Sequence, residues 1–384
     1  MKIVLSTPVF RPLVGGMETM AENLAYHFAK RGHEVTLITP ILHDGEEHTD
    51  AYQIIRNPSS QQKKAIIREA DLVFSNGASL YAVFWSFWLR KTFIWRHTGY
   101  QVSCIDGVGW HNDQKVPMRP FSSLLYHLQA SKPLAALKGF AKVIILRWVA
   151  FHYASANVAI SDWMLNQQTL PNAIRIHNPF PVGRFSKTLT NTNYEFDFFF
   201  LGRLVSEKGV DTLIEAFAKL NRGEKQYKLC IIGKGSEREN LEKLAAQFKV
   251  RDQIEFTGVL TGDALLQQIS LCRIAVLPSK WGEPFGGVAT ELLAARKNII
   301  VSKDGALSEL VDDAGLTFPN GNVEELYKQM KRLITDKNLQ QQQLVKGVER
   351  IKSFDENQLI TQYLQLFEAV LNKQPLPQKM LWSN

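Results

Sequence analysis

Cysteine is scarce in this chain of 384 residues, and its scarcity excludes two classes of protein. The three cysteines are too few and too scattered for a disulfide framework or a CxxC zinc site; they are Cys104, Cys230 and Cys272. A reducing cytoplasm is therefore the expected compartment. Hydrophobic residues make up 45% and charged residues 21% of the chain, which excludes collagen-like and low-complexity proteins.

Long apolar runs are also missing. The longest extends from about Leu80 to Leu89, whereas a membrane-spanning helix needs about 20 apolar residues. The apolar run after Lys2 is short and ends at Pro8, so we expect no signal peptide. Since a single core rarely grows beyond about 250–300 residues, the length predicts two domains.

Acidic residues are absent from the segment Gln114 to Ser161, which contains six Lys and Arg. Residues 1–187 carry 20 Lys and Arg against 12 Asp and Glu, whereas residues 188–384 carry 25 of each. The net charge of +8 therefore lies entirely in the first half. This distribution predicts an anionic partner, such as a phosphorylated lipid carrier, a membrane surface or nucleic acid. A solvated basic face explains the charge equally well.

The first half begins as a βαβ unit, which predicts a parallel sheet. We expect a strand at Lys2–Ser6, a helix at Met17–Arg31 that ends before Gly32, and a strand at Glu34–Thr39. Further strands are predicted at Leu72–Ser75, Thr92–Trp95, Ala156–Ile160 and Ile174–His177. The polar stretch Ser186–Asn193 is the predicted linker.

A second βα series follows this linker. The predicted strands are Phe196–Leu201, Lys228–Ile232, Ile254–Thr257, Ile274–Leu277 and Asn298–Val301, with helices at Val210–Leu220, Glu237–Phe248 and Glu356–Leu371. Two such series predict two Rossmann-like domains that face a cleft, with ligands beyond the carboxyl ends of the strands. We expect an N-terminal domain at 1–187, a C-terminal domain at 188–355, and a helix and tail at 356–384 that cross back to the first domain.

Two loops between strand and helix carry features of an anion site. Gly15 and Gly16 follow the first strand and open a helix, so that a ligand can approach the backbone, although a plain tight turn explains them too. Gly202-Arg-Leu-Val-Ser-Glu-Lys-Gly209 follows a buried strand. Its Arg203 offers a planar fork to phosphate oxygens and its Lys208 a compact charge, a combination suited to a diphosphate.

A third loop, Pro278 to Gly287, carries Glu283 and leads into a helix that contains Glu291. Carboxylates accept hydrogen bonds from sugar hydroxyls, so that one can hold a ribose and the other a hexose. Gly286 and Gly287 leave backbone N–H groups free for phosphate or sugar. An early Glu that favours the helix dipole explains Glu291 alone, but not the loop before it.

These three motifs, in this order and at this spacing, resemble the GT-B-fold retaining glycosyltransferase family 4, over most of the chain from Met1 to about Phe367. The resemblance implies that the second domain holds a nucleotide-diphosphosugar. Arg203 and Lys208 would grip the diphosphate, Glu291 the ribose and Glu283 the donor sugar. The remaining donor-binding positions would be Gly15, Gly16, Gly233, Gly258, Val259, Phe285, Gly286, Gly287 and Val288.

His97 ends a predicted first-domain strand and looks like the family's histidine beside the donor sugar. The alternative is a histidine packed at a strand end. With this residue, the expected catalytic set is Glu283, His97, Arg203 and Lys208. Two positions depart from the family: Arg296 stands where a glycine often ends the helix, and Asn178-Pro-Phe-Pro181 replaces the usual hinge.

The resemblance implies a retaining hexosyltransferase that uses a UDP- or GDP-sugar, needs no metal or other cofactor, and lets the leaving phosphate take the acceptor proton. The expected acceptor is a glycan or lipid-linked molecule of cell-surface polysaccharide or lipopolysaccharide synthesis, bound by the first domain. The apolar and basic segment 140–151 favours an anionic membrane or lipid-diphosphate contact through residues 114–161, on the inner face of the membrane. A buried helix with two snorkelling cations remains the alternative for that segment.

Three other functions compete with transfer. A non-catalytic nucleotide-sugar-binding protein of the same fold is the main alternative. A phosphorylase or epimerase would be the enzymatic one. Nucleic-acid binding, which the basic half suggests, has no stacking platform or known motif in the sequence to support it, so we expect no nucleic-acid partner.

Overall fold

The structure, a computed structural model, describes residues 1–13, 15–43, 51–188 and 193–376. The chain divides into two compact units, Phe180–Glu356 and a first unit that joins Met1–Pro179 to the segment from Asn357 onward. The division falls at Pro179, earlier than the predicted boundary at 187, so that residues 180–187 belong to the second unit. Residues 189–192 of the predicted linker lie outside the described residues.

The first unit is an α/β structure around a parallel sheet. Its elements are β1 (Lys2–Ser6), α1 (Gly16–Lys30), β2 (Glu34–Thr39), β3 (Gln53–Arg56), α2 (Ser60–Glu69), β4 (Leu72–Asn76), α3 (Leu80–Trp88), β5 (Thr92–His97), β6 (Trp110–His111), β7 (Gln114–Lys115), α4 (Pro120–Ala130), α5 (Pro133–His152), β8 (Ala156–Ala159), α6 (Asp162–Gln168) and β9 (Ala173–Arg175). Seven of these strands pair in the order β3-β2-β1-β4-β5-β8-β9, all parallel. The predicted βαβ opening is therefore confirmed.

The second unit repeats the plan. It contains α7 (Val182–Phe185), β10 (Phe196–Leu201), α8 (Val210–Leu220), β11 (Leu229–Ile232), α9 (Arg238–Gln247), β12 (Ile254–Gly258), α10 (Gly262–Ser270), β13 (Cys272–Leu277), α11 (Gly287–Ala294), β14 (Asn298–Ser302), α12 (Ala306–Val311), β15 (Leu316–Phe318), α13 (Val323–Thr335) and α14 (Lys337–Arg350). Its sheet has the order β12-β11-β10-β13-β14-β15 and is parallel throughout the described strands. The last helix, α15 (Glu356–Leu371), continues into the first unit.

Element ends differ from the prediction by a few residues. Helix α1 begins at Gly16 and ends at Lys30, one residue earlier at each end than predicted, and Gly32 follows with φ +84° as a glycine beyond a helix end does. Strand β9 covers Ala173–Arg175 rather than Ile174–His177. Strands β3 and β15 were not predicted, since each is short and has partly exposed residues.

Helices cover both faces of the first sheet. On one face α1 and α15 pack against the strands, and on the other α2, α3 and α5 do. The aromatic rings of Phe28, Phe74, Tyr363 and Phe367 meet on the first face with centroids 5.1–6.4 Å apart. Helix α15 is thus part of the core of the first unit, although it follows the second unit in sequence.

Arg96 is a buried cation near the carboxyl ends of β4 and β5. Its guanidinium donates hydrogen bonds to the side-chain oxygens of Asn76 and Asn178 and, over 3.0 Å, to the Tyr363 hydroxyl. All three acceptors are neutral, so that within the described residues this charge is stabilised by hydrogen bonds rather than by an ion pair. The contacts join two strands, the end of the N-terminal segment and α15.

Among the described residues, no helix is both long and apolar enough to cross a bilayer.

The packing of α15 predicts a large stability effect. Phe367→Ala removes a fully buried ring that lies 5.2 Å from Phe28 and 5.1 Å from Phe74, so we expect the first unit to lose about 3–5 kcal/mol. Urea unfolding followed by circular dichroism measures the loss. Gln365→Ala, on the exposed side of the same helix, is the control and should change stability little. Equal midpoints for the two variants would contradict this account of the core.

Candidate functional site

The loops that carry the predicted donor residues of the second unit meet at the centre of its sheet. Strand β10 connects to β11 on one side, and β13 lies on its other side. In open α/β sheets a ligand site forms where the strand order reverses in this way, beyond the carboxyl ends. Arg203 and Lys208 follow β10, and Glu283 follows β13. The fold therefore places these three residues on the two loops that flank the reversal point.

Lys208 and Glu283 form an ion pair between these loops. The Lys208 Nζ lies 2.5 Å from Glu283 Oε1, and the two side chains are 17% and 11% exposed. Ser279 Oγ donates to the other carboxylate oxygen over 2.8 Å. An ammonium has three donors, so Lys208 retains hydrogen-bonding capacity beyond Glu283. The pair thus offers a partly buried cation and a partly buried carboxylate in contact with each other.

Arg203 is held differently. Its guanidinium lies 3.4 Å from Glu207 Oε1, and its side chain is 67% exposed. The Glu207 side chain is 14% exposed, whereas the Arg203 guanidinium extends into solvent, where an anion can reach it. The structure therefore pairs the two predicted diphosphate-binding cations with two different carboxylates, and their joint contact with a diphosphate stays a prediction.

Several glycines in these loops are required by close packing. A Cβ on Gly233 would lie 1.8 Å from the Gly202 carbonyl oxygen, and one on Gly209 would lie 2.1 Å from the Pro278 carbonyl oxygen. A Cβ on Gly235 would lie 2.0 Å from the carbonyl oxygen of Leu204. These contacts bring the loops after β10, β11 and β13 together. They explain Gly233 without a ligand, so its predicted donor contact stays a prediction.

Helix α11 begins beside the ion pair. Gly286 precedes it with φ +86°, a conformation that favours glycine, and Gly287 is its first residue. The first N–H groups of a helix have no partner within the helix and favour anions. Gly287 and Val288 are partly exposed, whereas Phe285 is buried and lies 6.5 Å from the Phe354 ring. The helix start can thus present backbone donors to a ligand.

The other end of α11 shows how this chain replaces the family's glycine. Arg296 follows the helix with φ +55°, in the left-handed region that a glycine adopts without strain. Its N–H donates to Leu293 O over 3.0 Å, and the Lys297 N–H donates to Leu292 O over the same distance. The helix therefore ends normally despite the absence of glycine.

Glu291 lies on α11, one turn beyond the first N–H groups. Burial raises the pKa of its carboxyl to about 7, against a smaller opposing effect of the Arg184 charge. A carboxyl group with this pKa holds a proton over part of the physiological range and can then donate as well as accept hydrogen bonds. This suits contact with hydroxyl groups, and a role with ribose stays a prediction.

The remaining predicted positions of the second unit lie at the end of β12. Gly258 has φ +77°, and its carbonyl oxygen accepts the Gly233 N–H over 2.8 Å. Val259 is 53% exposed. The backbone beyond Gly258 is accessible, while the Gly258 carbonyl oxygen already accepts a hydrogen bond within the protein.

In the first unit, the histidine of the predicted set is inaccessible. His97 is 2% exposed, and its Nε2 lies 2.8 Å from Asn157 Oδ1. Its Nδ1 is buried and has no hydrogen-bond partner among the described residues, and burial lowers its pKa to about 4. The ring stacks on Trp95 at 4.7 Å and lines a small cavity of about 10 Å³. This geometry matches the alternative of a histidine packed at a strand end, and catalysis by His97 stays a prediction.

Gly15 and Gly16 open α1 at the reversal point of the first sheet, between β1 and β4. A Cβ on Gly15 would lie 2.6 Å from a carboxylate oxygen of Glu18, whereas a Cβ on Gly16 would meet no atom within 4 Å. Gly16 is exposed. Packing within the described residues therefore does not require a glycine at this position, which leaves room for the predicted approach of a ligand.

Sequence reasoning missed several residues that shape the site. Glu207 pairs with Arg203, Ser279 holds Glu283, and Lys280 forms an ion pair with Asp211. Arg203 and Glu207 are four positions apart, as are Ser279 and Glu283, which was a visible signal in the sequence. The pair of Lys280 and Asp211, 69 positions apart, depends on the positions of the two residues in three dimensions. Trp281 is also buried here, 6.0 Å from the Lys208 Nζ, and its Nε1 has no partner among the described residues.

No group of three or more metal-ligating His, Cys, Asp or Glu side chains occurs in the described part of the chain. The site of the second unit instead combines an exposed guanidinium, an ammonium paired with a carboxylate, a helix start and a second carboxyl group. Such a set can bind an anion and hydroxyl groups together.

Comparison with known proteins agrees with this chemistry. Residues 184–348 match the family model described as glycosyl transferases group 1. The alpha-D-kanosaminyltransferase of Streptomyces kanamyceticus is 31% identical over 144 residues, 37% of this chain and 37% of that protein. The chain thus spans little more than a third of this relative's length in the alignment.

Solved structures resemble the whole chain in fold. HepE of Anabaena in complex with UDP gives a TM-score of 0.73 at 18% identity and covers 96% of this chain and 100% of that one. WaaG, a glycosyltransferase involved in lipopolysaccharide biosynthesis, gives 0.69 at 16% identity, with 95% and 99% covered. The fold is GT-B, as the sequence resemblance implied.

The raised pKa of Glu291 predicts a pH dependence of stability. The folded state binds the Glu291 proton more tightly than the unfolded state does. The contribution of this carboxyl to the free energy of unfolding is therefore complete below about pH 4.5 and is lost as the pH rises towards 7 and above. We expect Glu291→Gln to remove this loss, which amounts to about 3 kcal/mol. Its stability relative to wild type should therefore rise between pH 5 and about pH 8 in urea titrations.

The matched control is Glu224→Gln, which removes the same charge at an exposed position of the second unit. It should follow the wild-type pH profile. If Glu291→Gln also follows that profile, the carboxyl is not protonated in the folded protein near neutral pH.

Proposed function

We propose that this protein, whose residues 184–348 match the family model of glycosyl transferases group 1, is a retaining, metal-independent glycosyltransferase. It moves a sugar from a nucleotide-diphosphosugar to a glycan or lipid-linked acceptor. The observation that carries the proposal is the contact between Lys208 and Glu283 on the two loops that flank the reversal point of the second sheet.

Donor binding follows from the charges at this point. The exposed Arg203 guanidinium can exchange Glu207 for phosphate oxygens, and Lys208 can donate to phosphate while it contacts Glu283. The start of α11 adds N–H groups with positive partial charge. Glu283 is then next to the diphosphate, where a carboxylate can accept hydrogen bonds from the sugar that the diphosphate carries.

Transfer needs stabilisation of a departing diphosphate. The bond between the anomeric carbon and the diphosphate oxygen breaks, and its electron pair leaves with the nucleotide. The acceptor hydroxyl oxygen bonds to the same face of that carbon, and its proton passes to the leaving phosphate. Arg203, Lys208 and the helix start stabilise the negative charge that develops, which is the largest contribution in many such reactions.

UDP is the favoured nucleotide, since a structural relative of the same fold binds it. A role in cell-surface polysaccharide or lipopolysaccharide synthesis is supported by the fold similarity to WaaG. The basic segment 114–161 of the first unit supports an acceptor that carries negative charge, such as a lipid-linked diphosphate.

The proposal predicts selective stabilisation by one nucleoside diphosphate. In a thermal-shift comparison of UDP, GDP and ADP at about 100 times the dissociation constant, the preferred nucleotide should raise the midpoint of the second unit by about 5 °C or more. Arg203→Ala should abolish the shift because it removes the bidentate phosphate contact. Arg222→Ala, another exposed arginine of the second unit, should retain it. Equal shifts in wild type and Arg203→Ala would refute the diphosphate assignment.

Substitution of Glu283 should separate nucleotide binding from the transfer step. Glu283→Gln keeps a group that accepts the Ser279 hydrogen bond but removes the charge beside the sugar. We expect hydrolysis or transfer of the preferred donor to fall about 100-fold or more, while the nucleotide shift is retained. Ser279→Ala, which leaves the charge in place, should have a smaller effect.

Donor turnover followed by release of the nucleoside diphosphate measures both variants. Wild-type activity in Glu283→Gln would remove this residue from the reaction. Nucleotide binding without turnover of any donor or acceptor in the wild type would favour a non-catalytic nucleotide-sugar-binding protein.

A further inference from the structure

Helices α3 and α5 of the first unit carry large apolar side chains on their outer surfaces. On α3, Phe84, Phe87 and Trp88 are 55%, 52% and 65% exposed. On α5, Ile145 and Trp148 are 58% and 51% exposed. Single exposed apolar residues are ordinary, but a cluster of aromatic ones marks a surface that contacts something else.

Helix α5 has two apolar stripes on opposite sides. The inner stripe is buried and comprises Ala136, Val143, Leu146, Val149 and Ala150, the last three of which pack in the core on the sheet. The outer stripe recurs at helical spacing and comprises Leu134, Leu137, Ile144, Ile145, Trp148 and Phe151, each 38–65% exposed. A surface helix ordinarily has one apolar side, and a helix that is apolar all round is normally covered on all sides. The inner stripe is apolar because it belongs to the core of the first unit. The apolar residues of the outer stripe need a separate explanation.

The outer residues of the two helices form one surface. Both helices cover the same face of the first sheet. The Phe87 and Trp148 rings connect them edge to face at 6.3 Å, and Phe84 stacks on Trp88 at 6.4 Å. We call these outward side chains of α3 and α5 the aromatic face.

The aromatic face lies in a strongly basic part of the chain. Residues 72–161 contain nine Lys and Arg but only two acidic residues, Asp106 and Asp113. Lys138 and Lys142 are exposed on α5 next to the outer stripe. The Asp106 side chain is 10% exposed, lies 3.5 Å from His127 Nε2 and accepts the Val108 N–H over 2.7 Å. Within residues 72–161 positive charge therefore exceeds negative charge around the apolar surface, although Glu69 and Asp71 at the end of α2 are also exposed.

An open groove borders this surface at the end of α3. It has a volume of about 590 Å³ and is lined by Phe87 and Trp88 together with Arg90 and Lys91. Arg90 is exposed, while Lys91 also donates to Ala70 O over 2.9 Å. Aromatic rings beside cations can accommodate the phosphate and glycerol of a lipid headgroup.

We propose that the aromatic face docks on a bilayer surface rich in anionic phospholipid. Its Trp and Phe rings enter the headgroup region, as aromatic side chains at membrane surfaces do. Lys138 and Lys142 extend from α5 to lipid phosphates while their stems lie on apolar surface. A second copy of the chain fits less well, because like charges would then face one another.

This proposal deepens the proposed function, since it places a lipid-linked acceptor on the same surface as the enzyme. Docking itself requires neither donor nor acceptor. It can therefore be tested with nucleotide-free protein and vesicles that contain no acceptor, so that its failure leaves the proposed transfer untouched.

The experiment is co-sedimentation of the full chain with phosphatidylcholine vesicles that contain or lack phosphatidylglycerol. Wild type should bind the anionic vesicles, and rising salt should weaken binding because it screens the cations. Ile145→Ser/Trp148→Ser should lower the partition coefficient about tenfold or more. Lys138→Ser/Lys142→Ser should lower it to a similar extent for anionic vesicles, which tests the charge separately.

The matched control is Val345→Ser/Val348→Ser. It removes two apolar side chains, 58% and 37% exposed, from α14 of the second unit and should bind like wild type. The proposal would be overturned if the aromatic-face variants bound the anionic vesicles as strongly as the control variant does. It would also be overturned if wild type bound vesicles equally well with and without phosphatidylglycerol. A wild-type dimer in sedimentation velocity that Ile145→Ser/Trp148→Ser dissociates, without vesicle binding, would assign the face to a second copy. If Ile145→Ser/Trp148→Ser fails to fold, vesicle binding by Lys138→Ser/Lys142→Ser tests the proposal instead.

Discussion

The contact between Lys208 and Glu283 is the constraint around which the second unit is arranged. A charge pair this little exposed is costly to break from one side, because the remaining charge would be left unpaired in a poorly solvated place. The pair therefore holds the loops after β10 and β13 in register at the reversal point of the sheet. In the proposed reaction a diphosphate supplies new negative charge to Lys208, which leaves Glu283 freer to accept hydrogen bonds from the sugar. One pair would thus serve folding without the donor and chemistry with it.

The strands could be predicted from the sequence because a parallel sheet covered on both faces needs continuous apolar runs. Phe196–Leu201 is such a run, and it is the central strand β10. Short edge strands such as β3 and β15 lack this signal. The loops could be placed at the carboxyl ends of strands, but not which side chains would meet there. Lys208 and Glu283 are 75 positions apart, and His97 and Asn157 are 60 apart, so only the fold determines these contacts.

Glycines show why a residue type alone does not define a site. The family resemblance implied that Gly233 contacts the nucleotide, yet the carbonyl of Gly202 already excludes any side chain there. The same holds for Gly209 against Pro278. Gly16 is different, since a Cβ there would meet no neighbour within 4 Å in the described structure. Packing therefore explains Gly209 and Gly233, whereas Gly16 has no packing reason and stays a candidate for a position that a ligand approaches.

The segment 140–151 left two interpretations open in the sequence, a membrane-facing stretch and a buried helix. The structure supports the second interpretation for one side of α5, while a membrane contact of the other side stays a proposal. Val143, Leu146 and Val149 are buried, and Leu146 and Val149 pack in the core on the sheet, so the segment is a core helix on that side. Ile145 and Trp148 remain 58% and 51% exposed, so each forgoes about half of the roughly 1.5–3 kcal/mol that full burial of a large apolar side chain contributes. The core of the first unit does not need the outer stripe. A contact surface that covers it would recover that free energy, and the surrounding lysines favour a surface of negative charge.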